Sequence, residues 1–152
     1  LVGLNILVTG TKLVKESFAG LMNEAEPALL QEISELLIEN RKDTYIDIHQ
    51  LRAWRSGSHI HIDFHLILPR DFALDCAHRE SKELEKLIEN HFKGSASVLI
   101  HLDPCLDSEC PICSHSPCTL RMARKRKMQP WTLRSLTSDH GEKTVDGEGN
   151  HA

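Results

Sequence analysis

Imidazole and carboxylate side chains recur at every second position of residues 59–65, where they alternate with apolar residues. The polar members of this stretch are His59, His61, Asp63 and His65. Successive side chains of a β-strand point to opposite faces of a sheet, so the stretch predicts a strand with one apolar face and one polar face. Imidazole and carboxylate groups are usual ligands of zinc and related divalent ions. The polar face is therefore either solvated or a metal-binding surface.

A first strand is predicted just before this one, joined to it by a Ser56-Gly57-Ser58 turn. In this strand Ile46 and Ile48 are expected on the apolar face. The opposite, polar face is expected to carry Tyr45, Asp47 and His49. The two strands together predict a hairpin with imidazoles and carboxylates on one side.

A third strand, over residues 97–102, adds His101 to the same polar face. Asp103 follows with the same parity, and its Cα lies roughly 7 Å from that of His101 in an extended chain. That spacing allows the two side chains to share a metal ion. Three separate strands thus contribute imidazoles to one face of a sheet. This is the feature of the sequence that is hardest to obtain by chance.

Two amphipathic helices are predicted to position these strands. The first begins at Pro27, a residue suited to a first helical turn, and its apolar stripe runs to Ile38. The second is predicted to be capped by Asp71 and to stop at Lys93-Gly94. Its expected buried stripe consists of Phe72, Leu74, Ala77, Ser81, Leu84, Ile88 and Phe92. His78 lies at the edge of that stripe.

The element order helix, strand, strand, helix, strand predicts an α+β domain. Two helices on one face of a three-stranded sheet would cover the apolar side and leave the polar face open. His59 and His61, close to the turn, are expected to be solvated.

Composition excludes several classes of function. The chain has 152 residues, 10 histidines and a formal net charge of −4, which is too mild to indicate a nucleic-acid partner. A nucleic-acid module using the open sheet would also need exposed aromatic residues there. The sequence has no H-E-x-x-H motif, no glycine-rich phosphate loop and no convincing nucleophile–base pair, so nothing indicates an enzyme.

The first residues, LVGLNILV, are apolar over a stretch too short to span a bilayer, which takes about 20 residues. They either end a transmembrane helix that begins upstream or form a short core strand. An amphipathic helical pattern follows as far as Met22.

Four of the five cysteines crowd into one short run. They are Cys105, Cys110, Cys113 and Cys118. A C-x2-C pair is a good zinc half-site, so the run is a candidate second metal site. Free thiols and a redox pair remain open alternatives. Without a secretory signal, a reduced cytosolic setting is expected.

The C-terminal end is predicted to be disordered. A basic run occupies Arg121–Lys127, and the residues from about 128 onward are polar and aperiodic. The apolar residues Trp131, Leu133 and Leu136 are too few to build a core of their own.

Three segments together resemble the cytosolic C-terminal domain of the cation diffusion facilitator transporters. They read IHQLRAWRSGSHIHIDFHLIL, CAHRESKELEKLIENHF and VLIHLDPC, within Ala28–Cys105. The patterns x-H-x-L-R-x-x-x-S-G and I-H-x-D-P are specific in combination. In addition, LVKESFAGLMNEAEP resembles the end of the last transmembrane helix and the linker of that family. The chain has Asn23 where members often have Asp, which puts a charge interaction near the membrane exit in doubt.

The resemblance implies a ferredoxin-like, metallochaperone-like αββαβ fold and a homodimer with zinc at its interface. By matched position, the implied metal ligands are His49, His65, His78, His101 and Asp103, with His78 reaching a site from the partner subunit. Zinc is the implied ion, although other divalent transition metals suit the same ligands. Asp47, Asp63, His59 and His61 are then left as neighbours of the site or as solvated residues.

The implied function is the cytosolic regulatory domain of a multi-pass divalent-cation efflux transporter in the cell membrane. Metal binding would tie two copies together and activate metal/proton antiport by the membrane domain. The expected division is 1–25 for the end of the last transmembrane helix and linker, 26–104 for the metal-binding dimerisation domain, 105–120 for the cysteine-rich segment and 121–152 for a disordered tail. The alternative is a soluble metallochaperone-like protein, which would lack apolar helices upstream.

Overall fold

The computed structural model describes residues 1–21, 26–116, 118–124 and 129–139. Its elements are α1 (Val2–Leu21), α2 (Pro27–Glu39), β1 (Asp47–Ser56), β2 (His59–Leu68), α3 (Leu74–His91), β3 (Ala96–Pro104), a short 3-10 helix (Asp107–Glu109) and α4 (Leu133–Thr137). The order α2-β1-β2-α3-β3 confirms the predicted αββαβ domain. Asn23, His140, His151 and part of the basic run lie outside the described residues.

The three strands form one sheet with β2 in the centre. β1 pairs with β2 in the antiparallel sense, whereas β3 pairs with β2 in the parallel sense. The register sets His49 opposite His65 and His65 opposite His101. The backbone therefore places three histidines side by side in a row across the sheet.

The apolar face of the sheet packs against α2 and α3, and the predicted two-layer α+β fold is confirmed. The inward residues of β2 are at most 3% exposed; they are Ile60, Ile62, Phe64 and Leu66. They share one core with Leu29, Ile33 and Leu37 of α2 and with Leu84 and Ile88 of α3. Each such side chain stabilises the fold by roughly 1.5–3 kcal/mol relative to an exposed one. This packing fixes the sheet that carries the histidines.

The start of α3 differs from the prediction. The helix begins at Leu74 with Ala73 as its N-cap and has no side-chain cap, so the predicted cap at Asp71 is wrong. The reason is a tight turn, in which the Phe72 N–H donates to the Pro69 carbonyl at 3.0 Å. Leu74 is 84% exposed and does not belong to the buried stripe. The predicted stop is confirmed, because Gly94 at φ 77° donates its N–H to the Glu89 carbonyl at 2.8 Å.

Residues 129–139 pack on the core, so the predicted disorder is wrong for this part of the tail. Trp131 and Leu136 are 6% and 0% exposed and join the main core. Thr132 caps α4 by accepting the Ser135 N–H. Two apolar residues need not build a core of their own when they complete one that the sheet and α2 already form.

The polar face is covered at one end by the cysteine-rich segment. Ile46, Ile67 and Cys113 form a second buried cluster, against which Cys105 and Ile112 pack. The prediction that Ile46 lies with Ile48 is therefore wrong. Ile46 precedes the first residue of β1, so strand alternation does not govern it. Asp47 is also buried, at 5% exposure, and is not a solvated strand residue.

The helix α1 exposes many of its apolar side chains, among them Leu4, Leu7 and Val8. Within the described part of the chain, no helix has both the length and the apolarity that crossing a membrane requires.

Candidate metal centre

Three imidazoles form a row on the polar face because β1, β2 and β3 hold them in register. The His49 and His65 ring centroids lie 5.0 Å apart, and those of His65 and His101 lie 4.5 Å apart. Neither pair is coplanar, with interplanar angles of 33° and 34°. The rings are thus close enough to ligate the same metal ion or neighbouring ions.

Asp103 contacts all three imidazoles with its carboxylate. One oxygen, Oδ2, lies 2.8 Å from His65 Nδ1 and 4.0 Å from His49 Nε2. The other oxygen, Oδ1, lies 3.2 Å from His101 Nε2. Asp103 follows His101 by two residues, and strand alternation puts both side chains on the polar face, as predicted.

One compact set of ligand atoms results. His49, His65 and Asp103 each offer one atom, and the three atoms lie within 4.8 Å of one another. Tetrahedral zinc with bonds of about 2.0–2.1 Å needs ligand atoms roughly 3.4 Å apart, so small side-chain rotations suffice. Two neutral imidazoles and one carboxylate carry a single negative charge, which favours a divalent cation. The residues present therefore fit zinc. In the part of the chain that the structure describes, no other group of three or more His, Cys, Asp or Glu residues meets this geometry.

Burial decreases along the row. The His49 side chain is only 4% exposed, whereas those of His65 and Asp103 are 28% and 31% exposed. The His101 side chain is 65% exposed and stands at the outer edge. The centre thus has a buried inner wall and an outer side that solvent or another chain can reach.

His78, the fifth predicted ligand, is not brought to this centre within the chain. It lies exposed on α3, and α3 packs on the apolar side of the sheet. A role for His78 therefore needs a second copy of the chain.

The remaining polar residues of the hairpin have other partners. His59 Nε2 lies 2.7 Å from the Ser97 hydroxyl, and the His61 ring stacks on Trp54 at 5.4 Å between centroids. Asp63 accepts a hydrogen bond from Arg52 Nε at 2.8 Å. None of these three residues belongs to the compact ligand set.

The four clustered cysteines do not converge on one point. None of them is disulfide-bonded, and no three of them form a ligand group among the described residues. Burial raises the pKa of the Cys105 thiol, which lowers its thiolate fraction. A second metal site in this segment stays a prediction.

Sequence reasoning missed a β-bulge in β1. Gln50 and Leu51 together oppose Phe64 alone, because His49 pairs with His65 and Arg52 pairs with Asp63. The signal was present in the apolar pattern. Within β1, the residues that point into the core have even numbers up to Ile48 and odd numbers from Leu51 onward. Side chains three positions apart in an uninterrupted strand point to opposite faces, so such a strand cannot bury both on one face.

Comparison with known proteins gives a family match over the region that holds this centre. Residues 25–105 match the family described as cation efflux protein, cytoplasmic domain. An uncharacterized transporter of Synechocystis sp. is 33% identical over 107 residues, which cover 70% of this chain and 34% of that protein. The chain thus spans about a third of that relative's length.

Two solved structures of CzrB, a candidate zinc transporter, are also similar. The first has 27% identity and a TM-score of 0.49, and it covers 53% of this chain and 98% of that one. The second, a zinc form, has 24% identity and a TM-score of 0.42, and it covers 53% of this chain and 91% of that one.

Proposed function

This chain belongs to the cation efflux protein family, and we propose that it is the cytosolic regulatory part of a divalent-cation efflux transporter. The family match confirms the resemblance read from the hairpin and the last strand. The family is one of transporters rather than enzymes, and the matched region is its cytoplasmic domain.

The proposed activity of this domain is to bind a divalent ion, zinc first of all. The observation that carries the proposal is the compact set of His49, His65 and Asp103, whose ligand atoms lie within 4.8 Å of one another. His101 extends the set through its contact with Asp103 at 3.2 Å. Nitrogen and oxygen ligands of this kind suit zinc, and other divalent transition metals remain able to use them.

The proposed binding state is a homodimer with the metal at its interface. The exposure of His101 supports this, because a ligand at the outer edge of the row is available to a second chain. Leu99, on the same strand, is 70% exposed and adds an apolar contact surface. His78 is the residue that would reach the metal from the partner subunit. Metal would thereby neutralise and join two carboxylate-bearing faces that otherwise repel each other.

The proposed consequence is allosteric. Cytosolic metal would hold two copies in one arrangement and so favour metal/proton antiport by the membrane domain. Coupling of this kind requires that the ion bind the joined arrangement more tightly than the separated one. In this scheme residues 1–25 are the end of the last transmembrane helix and its linker, and 26–104 are the regulatory domain.

Metal content and association state together test the proposal. The purified chain is dialysed with zinc or with a chelator, its metal is counted by elemental analysis, and its mass is measured in solution. We expect at least one zinc per chain with metal, and a dimer that weakens when the chelator is present. A protein that retains no zinc, or that has the mass of a monomer both with zinc and with the chelator, would contradict the proposal. A zinc-loaded monomer would instead favour the soluble metallochaperone-like alternative.

A further inference from the structure

The bulge in β1 lies next to the most buried histidine of the metal centre. His49 is the last residue before it, and Gln50 is its first residue. Gln50 has φ 53°, in the left-handed region that residues other than glycine rarely adopt. A conformation of this kind persists only where neighbouring groups hold it.

The bulge decides which face His49 occupies. Before it, Ile48 points into the core and His49 points to the polar face. After it, Leu51 and Ala53 are 2% and 1% exposed in the core. Without the extra residue, a strand that keeps Leu51 and Ala53 in the core would turn His49 towards the core as well. The histidine can face Asp103 only while the bulge persists.

The C-terminal strap, residues 129–139, supplies the groups that hold the bulge. The Gln50 backbone N–H donates to the Ser138 carbonyl at 3.0 Å. The Gln50 side-chain amide, through Nε2, donates to Asp139 Oδ1 at 2.9 Å. Both acceptors follow α4 directly, so the position of α4 determines where they lie.

The strap is itself fixed to the rest of the domain. Leu136 and Trp131 are buried in the main core. The Arg41 guanidinium lies 4.1 Å from the centre of the Trp131 ring and donates to the Gln129 carbonyl at 2.7 Å. The strap is therefore a packed part of the domain that reaches the bulge from the outer edge of the sheet. It also lies outside residues 25–105, which match the family.

We propose that the C-terminal strap is a positioning element of the metal centre, because through Gln50 it holds the bulge that directs His49 towards Asp103. Gln50 is the positioning residue, since it contacts the strap and is not itself one of the metal ligands. The inference rests on the proposed metal binding. When the strap contacts are lost, His65 and Asp103 keep their places on β2 and β3, whereas His49 loses its fixed direction. Weaker zinc binding follows without loss of the fold.

A double-mutant cycle on the full chain tests this relation. Zinc affinity is measured by competition with a chromophoric chelator for the wild type, Gln50→Ala, His49→Ala and the double variant. Replacing a group that orients a metal ligand typically weakens binding about 10-fold to 100-fold, and we expect Gln50→Ala to fall at the lower end of that range. In the His49→Ala background the same substitution should change the affinity less than 2-fold, since the ligand it positions is already gone.

Controls separate positioning from general destabilisation. Arg52→Ala removes a polar side chain from the same strand, but its partner is Asp63 rather than the strap, so zinc affinity should stay within 2-fold. Gln50→Gly tolerates the left-handed backbone but lacks the amide contact, and it should weaken binding less than Gln50→Ala. It also replaces Gln50→Ala in the cycle if that variant does not fold.

Two results would overturn the inference. One is a wild-type affinity in Gln50→Ala; the other is an equal loss in the presence and absence of His49. Failure of the proposed function has a different signature. If a variant with both His65→Ala and His101→Ala binds zinc as tightly as the wild type, the proposed metal centre is contradicted, and the positioning role is contradicted with it.

Discussion

Replacing Leu136 by alanine should destabilise the domain by about 2–3 kcal/mol. The side chain is 0% exposed and belongs to the core shared by the sheet and both helices. Leucine-to-alanine changes at buried sites cost about 2–5 kcal/mol. The low end applies here because α4 has only five residues and can move inwards to fill part of the cavity. This change would have no effect if residues 129–139 were a solvated tail.

Urea unfolding of the metal-free protein measures this difference. With a slope of roughly 1–2 kcal/mol per molar, the midpoint should fall by about 1–3 M. Leu120→Ala is the matched control, because Leu120 is 42% exposed and its loss should change stability by no more than about 0.5 kcal/mol. Equal midpoints for the two variants would refute the view that the strap completes the core.

Two further predictions concern the backbone and the thiols. Gly94→Ala should destabilise the domain by about 1–2 kcal/mol in the same urea assay, because φ is 77° there and the added Cβ has open space around it, so strain alone acts. Gly10→Ala, in the middle of α1, should instead leave stability unchanged or raise it by up to about 1 kcal/mol. A clear loss of stability in both variants would contradict this explanation. Zinc should slow alkylation of the cysteine run (Cys105, Cys110, Cys113 and Cys118) if that run forms a second metal site, whereas equal rates with and without zinc would identify free thiols.

The sheet and its polar face could be predicted because strand alternation is local. In β2 histidine or aspartate alternates with apolar residues without interruption over residues 59–66, so the faces of His65 and Phe64 follow from the sequence. The parallel pairing of β3 beside β2 placed His101 next to His65. Local patterns were enough to assign the faces, whereas the register that sets His65 between His49 and His101 is known only from the structure.

The bulge and the strap could not be predicted in the same way. The bulge follows from a change of parity between Ile48 and Leu51, which matters only once the pairing with β2 is known. The strap depends on contacts between Gln50 and residues almost 90 positions away in the sequence. Trp131 and Leu136 lack a periodic pattern of their own, and their burial depends on a core built elsewhere.

The division of the predicted ligands also has a physical basis. His49, His65, His101 and Asp103 come together because one sheet carries them all. His78 is on a helix that covers the opposite face, so a single chain leaves it apart from the others. That separation makes its proposed role depend on the dimer.

The zinc content of two double variants tests the metal centre most directly. His65→Ala with His101→Ala removes two imidazoles from the row, whereas His59→Ala with His61→Ala removes two imidazoles from the same face outside the ligand set. After equilibration with zinc and removal of the free ion, the first variant should retain much less metal than the wild type. The second variant should retain the wild-type amount. Equal zinc content in the first variant and the wild type would contradict the assignment of this centre.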